Sequence, residues 1–237
     1  MSPRRSVGSR PLAEFDRYRD DYREQVQRSI AFSGQDADFF IQAKAQHLES
    51  VMRSRDLPPD AKILDVGCGT GLTDHHLRSH YDCITGIDPA WELAARAKDS
   101  SPSLSYLAGD GLTLPFSDGT FDVAFAICVM HHVPPSKWAE FLEEMARVTR
   151  KGGTIAIYEH NPFNPLTRLA VARCEFDEDA VLLRRAQTLT LMRGAGLKDV
   201  TTSYILFFPW PGRILRAAEH RMRSVPLGAQ YAAVGTK

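Results

Sequence analysis

Between positions 61 and 71 the chain changes character. Ile63, Leu64 and Val66 form a short apolar run, and Gly67, Gly69 and Gly71 then fall on alternate positions. The run predicts a central parallel strand buried on both faces. The glycines allow the backbone to turn sharply and approach a ligand closely, and a helix starting at Leu72 would aim its free N–H groups at that ligand. Further apolar runs predict strands at 83–88, 104–108, 121–128, 154–158, 200–208 and 229–234. Trp138, Phe141, Leu142, Met145 and Val148 share one face of a predicted helix that Lys151-Gly152-Gly153 stops. Another helix is predicted at about 183–194. Strands alternating with helices predict an α/β protein.

Ahead of the first strand, Phe15, Tyr18, Tyr22 and Val26 recur at helical spacing over 12–28, giving one aromatic face. A second helix is expected at 37–54 from Phe39, Phe40, Ala43, His47, Leu48 and Val51, with Ser33-Gly34 between the two. Residues 1–11 are basic, carry two prolines and read as a disordered tail. The domain reading is therefore a tail at 1–11, a helical lid at 12–57 and a ligand-binding domain at 58–237. A helical insertion at about 209–226 carries Ile214, Leu215 and Ala218 on one face.

Composition narrows the function. The 237 residues, 43% hydrophobic and 24% charged, suit one globular domain with a sizeable core. Twenty-nine basic residues balance 29 acidic ones, so no nucleic-acid partner is expected. Cys68, Cys83, Cys128 and Cys174 form no Cys-x-x-Cys pair, which predicts reduced thiols, a cytoplasmic location and no metal among the site residues. The N-terminus lacks the apolar stretch of a signal peptide, and no run has the length of a membrane span.

The candidate chemistry sits at predicted strand ends. The glycines are spaced Gly-x-Gly-x-Gly, not Gly-x-Gly-x-x-Gly, and no lysine follows as in a phosphate-binding loop. Asp88, ending the second strand, is placed to accept hydrogen bonds from both hydroxyls of a ribose; the plainer reading is a helix cap acting through Pro89. Asp110 in Gly109-Asp110-Gly111 is placed for an exocyclic amine, or makes an ordinary turn. His131 and His132 follow the fourth strand, and Glu159 and His160 end the fifth, where a general base belongs.

Asp65, Gly67, Gly69 and Gly71 match the pattern Asp-x-Gly-x-Gly-x-Gly. Together with Leu114-Pro115-Phe116-Ser117-Asp118-Gly119-Thr120-Phe121-Asp122 and the stretch Arg147 to Gly153, they make the chain resemble the class I S-adenosylmethionine-dependent methyltransferases of small-molecule type. The resemblance implies a Rossmann-like doubly wound sheet of about seven strands, mostly parallel with an antiparallel last strand, helices on both faces. It implies S-adenosylmethionine held by Asp65, Gly67, Cys68, Gly69, Asp88, Pro89, Asp110, Gly111 and Cys128, with Tyr18 and Tyr22 on a lid above. It also implies a small-molecule acceptor, with His160, then His132, as base and Glu159 as an alternative base or amine-binding group. Phe163, Phe207, Phe208 and Trp210 are candidate apolar walls. The acceptor atom stays open among oxygen, nitrogen and carbon, and the oligomeric state is unknown. A non-catalytic adenosine-binding or scaffold protein is the alternative; a nicotinamide-dependent oxidoreductase has the glycine spacing against it.

Overall fold

The computed structural model describes residues 22–210 and 212–237. Seven strands form one sheet: β1 (Lys62–Val66), β2 (Cys83–Asp88), β3 (Ser105–Ala108), β4 (Phe121–Ile127), β5 (Thr149–His160), β6 (Lys198–Ile205) and β7 (Gln230–Thr236). Their order is β3-β2-β1-β4-β5-β7-β6. β7 runs antiparallel to both β5 and β6, while the pairs from β3 across to β5 are parallel. The predicted antiparallel last strand is therefore present, and it lies inside the sheet, leaving β6 at the edge.

Successive residues of a strand point to opposite faces, and β1 supplies a different core on each side. Leu64 and Val66 join a cluster that includes Phe141, Leu142 and Met145 from helix α5 (Trp138–Val148). Ile63 joins the other, with Phe125, Ala156, Tyr158 and, from α2 (Ala37–Arg53), Leu48 and Met52. All five apolar positions predicted for one face of α5 are buried.

The remaining helices are α1 (Tyr22–Ile30), α3 (Leu72–Leu77), α4 (Trp91–Ser100), α6 (Pro165–Arg173), α7 (Arg185–Gly194) and α8 (Arg213–Met222). α8 falls inside the predicted 209–226 insertion. Tyr18 lies outside the described residues, and Tyr22 opens α1. Two of the strand boundaries that moved, the start of β5 and the end of β6, did so by several residues or for a visible cause. β5 begins at Thr149, which pairs with Phe121 ahead of a bulge that spans Gly152 (φ 74°) and restores the ladder at Val123 and Thr154. β6 ends at Ile205, not 208, because Leu206 takes a left-handed backbone (φ 61°), which breaks the ladder. β1 lies between β2 and β4, whose connections leave on opposite sides, so a crevice opens beyond the carboxyl ends of β1 and β4. Among the described residues, no helix is long and apolar enough to cross a membrane.

Candidate active site

The glycine loop after β1 is tethered to β2. The amides of Gly67 and Cys68 both donate to the Ile87 carbonyl, at 2.7 and 3.2 Å. Gly67 has φ 82°, and a Cβ there would stand 2.4 Å from Cγ2 of Val129, so backbone angle and space both require glycine. Asp88 Oδ2 accepts from the Gly69 amide at 2.8 Å, and its Oδ1 accepts from the Ala90 amide at 2.8 Å. The carboxylate thus joins the loop to the turn before α4 while still lining the crevice. Asp110 Oδ1 accepts from the amides of Leu112 and Thr113, at 3.0 and 2.8 Å, which holds its turn. At Gly111 a Cβ would meet the Phe141 ring at 2.3 Å.

Behind this loop lies a pair of acids. Asp65 and Asp74 are both buried, and burial followed by the nearby Asp74 charge pushes Asp65 well above the usual carboxylate range. Burial likewise pushes Asp74 up to about 7. The Cys68 thiol is also raised, first by burial and then by Asp65. Asp65 and Cys68, expected at the cofactor, therefore stand behind the loop and do not line the crevice.

The loops after β4 and β5 build the other end. Glu159 Oε2 lies 2.6 Å from Nδ1 of His131, while Oε1 accepts from the amides of Met130 (2.7 Å) and Val129 (3.1 Å). Both oxygens are spent in a fully buried position, so Glu159 orients His131 and does not face the crevice. His131 Nε2 and His132 Nε2 approach one oxygen of Asp177, at 3.5 and 3.3 Å. Burial pulls His131 down, but Glu159 and Asp177 outweigh it and hold its pKa well above the ordinary histidine value. His132 is lowered to about 3 and His160 to about 4, first by burial and then by the His131 charge. His160 packs on the His131 ring at 5.0 Å between centroids, and the Gln230 amide lies 3.3 Å from its Nδ1.

One cavity of about 750 Å³ runs between the two ends. Of the predicted site residues, Gly67, Gly69, Asp88, Pro89, Asp110, Gly111, Cys128, His132 and His160 line it. So do Phe207 and Trp210 among the predicted walls; Phe163 is exposed and stands outside. Two non-glycine residues with left-handed backbone, Cys128 (φ 59°) and Leu206, lie in its wall, the kind of strain that gathers at functional sites.

Several lining residues escaped the sequence reading. Ala37, Phe40, Ile41 and Lys44 project from one face of α2 at i, i+3, i+4 and i+7. That periodicity was visible, but a core-facing stripe has the same spacing. Lys44 Nζ reaches Cys128 Sγ at 3.8 Å, and Gln230 Nε2 reaches it at 3.2 Å. Asp177 arrives from a loop whose sequence gave no sign of its partners.

Residues 64–157 match the family model described as a methyltransferase domain. Over that segment the chain is similar to the methyltransferases of this family. It is 31% identical over 129 residues to the 2-methyl-6-phytyl-1,4-hydroquinone methyltransferase of Synechocystis, an overlap of 52% of this chain and 40% of that protein. The chain spans about half the length of the curated relatives it matches. The fold is that of a methyltransferase from Thermotoga maritima described as a possible histamine N-methyltransferase, with TM-score 0.66 and 21% identity over 94% of this chain and 98% of that one. It is also that of the [4+2]-cyclase SpnF, with TM-score 0.60 and 21% identity over 83% and 82%. The likeness is to methyltransferases in each of these comparisons, which counts against the nicotinamide-dependent alternative. The matched segment holds the glycine loop, Asp88 and Asp110, and it stops just before Glu159.

Proposed function

We propose that this protein binds S-adenosylmethionine at the Gly67–Asp88–Asp110 end of the cavity and transfers its methyl group to a small-molecule acceptor at the His132–His160 end, with a hydroxyl as the acceptor group. The observation that carries this reading is one cavity that joins the loops of Gly67, Asp88 and Asp110 to a histidine cluster. Asp88 would take the ribose hydroxyls, Asp110 and the Gly111 amide the adenine, and the loop from Gly67 to Gly69 the methionine portion.

A sulfonium methyl group is already activated, so the protein's task is alignment and removal of one proton. The acceptor oxygen attacks the methyl carbon in line with sulfur. The carbon–sulfur bond breaks with its electrons going to sulfur, which leaves S-adenosylhomocysteine. The hydroxyl proton goes to His160, which burial keeps neutral at physiological pH. For Nε2 to receive it, Nδ1 must carry the ring's other proton; the Gln230 atom 3.3 Å from Nδ1 is its amide nitrogen, so this tautomer requires the amide to turn over and present its oxygen. His132 stands by as the alternative base, and Glu159 fixes the loop that carries both His131 and His132. Phe40, Phe207 and Trp210 give the acceptor an apolar wall, in keeping with the hydroquinone substrate for which one relative is named. The cytoplasmic location expected for the chain is supported by four free cysteines.

Calorimetry with S-adenosylmethionine tests the first half. Asp88→Ala should weaken binding by roughly 10- to 150-fold, corresponding to about 1.5–3 kcal/mol for hydrogen bonds to a charged group. Transfer of labelled methyl from the donor into acceptor pools, followed by product mass, tests the second. Tight donor binding with no labelled product would favour a non-transferring role, as the [4+2]-cyclase among the fold neighbours illustrates.

A further inference from the structure

Asp177 is more than nine-tenths buried, and its Oδ1 has no hydrogen-bond partner among the described residues, although it points at two imidazoles. A buried carboxylate oxygen left without a donor costs free energy unless something positive meets it. Its neighbours are the Nε2 atoms of His131 and His132. We propose that His131, His132 and Asp177 form a binding site for a first-row divalent cation of the zinc type, at the acceptor end of the cavity.

The spacing fits. Donor atoms bound to one such ion at ~2.0–2.2 Å lie roughly 3.0 Å apart at a right angle and roughly 3.4 Å apart at the tetrahedral angle. The two measured edges are 3.3 Å (His132 Nε2 to Asp177 Oδ1) and 3.5 Å (His131 Nε2 to Asp177 Oδ1), and all three donor atoms lie within 4.8 Å of one another. The donors are two imidazole nitrogens and one carboxylate oxygen, a set that suits zinc, cobalt or iron(II) far better than magnesium.

The support behind the donors has the form a metal site requires. A metal-bound histidine gives its other ring N–H to a carboxylate, which fixes the ring and its tautomer. His131 does so through Nδ1 to Glu159 at 2.6 Å, and Glu159 is itself held by the amides of Met130 and Val129. Charge points the same way: Glu159 and Asp177 bring two buried carboxylates against the one His131 ring, and a divalent ion on that ring would balance both. All three proposed ligands line the cavity, so a position left open on the ion would face the acceptor. That last step alone rests on the methyl-transfer reading; the cation site does not.

The test uses the full chain, freed of metal by chelator and titrated with Co²⁺. One equivalent should bind and give visible ligand-field bands, while Mg²⁺ at the same concentration should not compete. Asp177→Ala and His132→Ala should each lower Co²⁺ affinity by at least about tenfold, and His160→Ala should leave it unchanged; Asp177→Asn serves if Asp177→Ala does not fold. Glu159→Gln should weaken binding by ~10–100-fold, as loss of a carboxylate behind a metal-bound histidine does. Calorimetry with S-adenosylmethionine on the same samples reports folding and the cofactor end separately. Wild-type protein that binds donor but no Co²⁺, or Asp177→Ala and His132→Ala proteins that bind Co²⁺ as tightly as wild type, would overturn the site and leave the methyl-transfer reading standing. Protein that binds Co²⁺ but no donor would support the cation site and overturn that reading.

Discussion

Asp65 and Asp74 meet behind the glycine loop, 3% and 0% exposed, and two carboxylates so placed cannot both ionise cheaply. The folded state therefore holds a proton there that the unfolded chain gives up at about pH 4. Because the folded pKa is raised, the pair's contribution to stability is whole below about pH 4 and is lost as pH rises through about 7, the value to which Asp74 is pushed. For one proton the slope reaches ~1.4 kcal/mol per pH unit within that window. Asp74→Asn removes the group that titrates, so the variant's urea midpoint should fall less than wild type's between pH 5 and pH 8. Parallel curves for the two proteins would show that Asp74 ionises in both states alike. From sequence, Asp65 read as a cofactor contact because it precedes the glycines. Its face of the strand, opposite to that of Leu64 and Val66, was implied by alternation, but its partner Asp74 lies one helical turn beyond the loop and only the fold brings them together.

The strands and α5 were legible at the scale of elements because parallel strands buried on both faces must be apolar runs, and the helix between β4 and β5 must show one apolar stripe. Less legible was the division of labour within the N-terminal helices, read together as a lid. The second half of α2 is built into the core: Leu48 and Met52 are fully buried, and His47 Nδ1 lies 2.8 Å from the Tyr158 hydroxyl in β5. The first half, with Ala37, Phe40, Ile41 and Lys44, lines the cavity instead. Closing motion is thus proposed for α1 and the turn to Gly34 (φ 72°), where Val26, Ser29, Ile30 and Phe32 border the cavity. Added S-adenosylmethionine should slow hydrogen exchange in residues 24–33 by a clear margin while residues 45–53 stay protected throughout. Equal exchange of residues 24–33 with and without donor would make α1 a fixed wall.

At the scale of the molecule, the sheet divides the site between its two halves. β1, β2 and β3 end in the loops that carry Gly67, Gly69, Asp88 and Asp110, whereas β4 and β5 end in those that carry Cys128, His131, His132 and His160. The first half was readable because its chemistry sits in short contiguous motifs. The second was readable only as far as its loops, since the Asp177 and Gln230 contacts come from elements remote in sequence. The division has a kinetic consequence. If donor binding and proton removal belong to separate loops, His160→Ala should reduce turnover by ~10²–10⁴-fold, the range for loss of a general base, with donor affinity nearly unchanged. Asp88→Ala should instead raise the KM for S-adenosylmethionine and leave turnover at saturating donor close to wild type. The double variant should then show the sum of both effects in free energy, because residues that share no partner combine additively. Measuring kcat and donor Kd for the four proteins checks this: a His160→Ala enzyme with weakened donor binding, or a double variant far from additive, would mean that the two loops act as one unit and that His160 shapes the cofactor end as well.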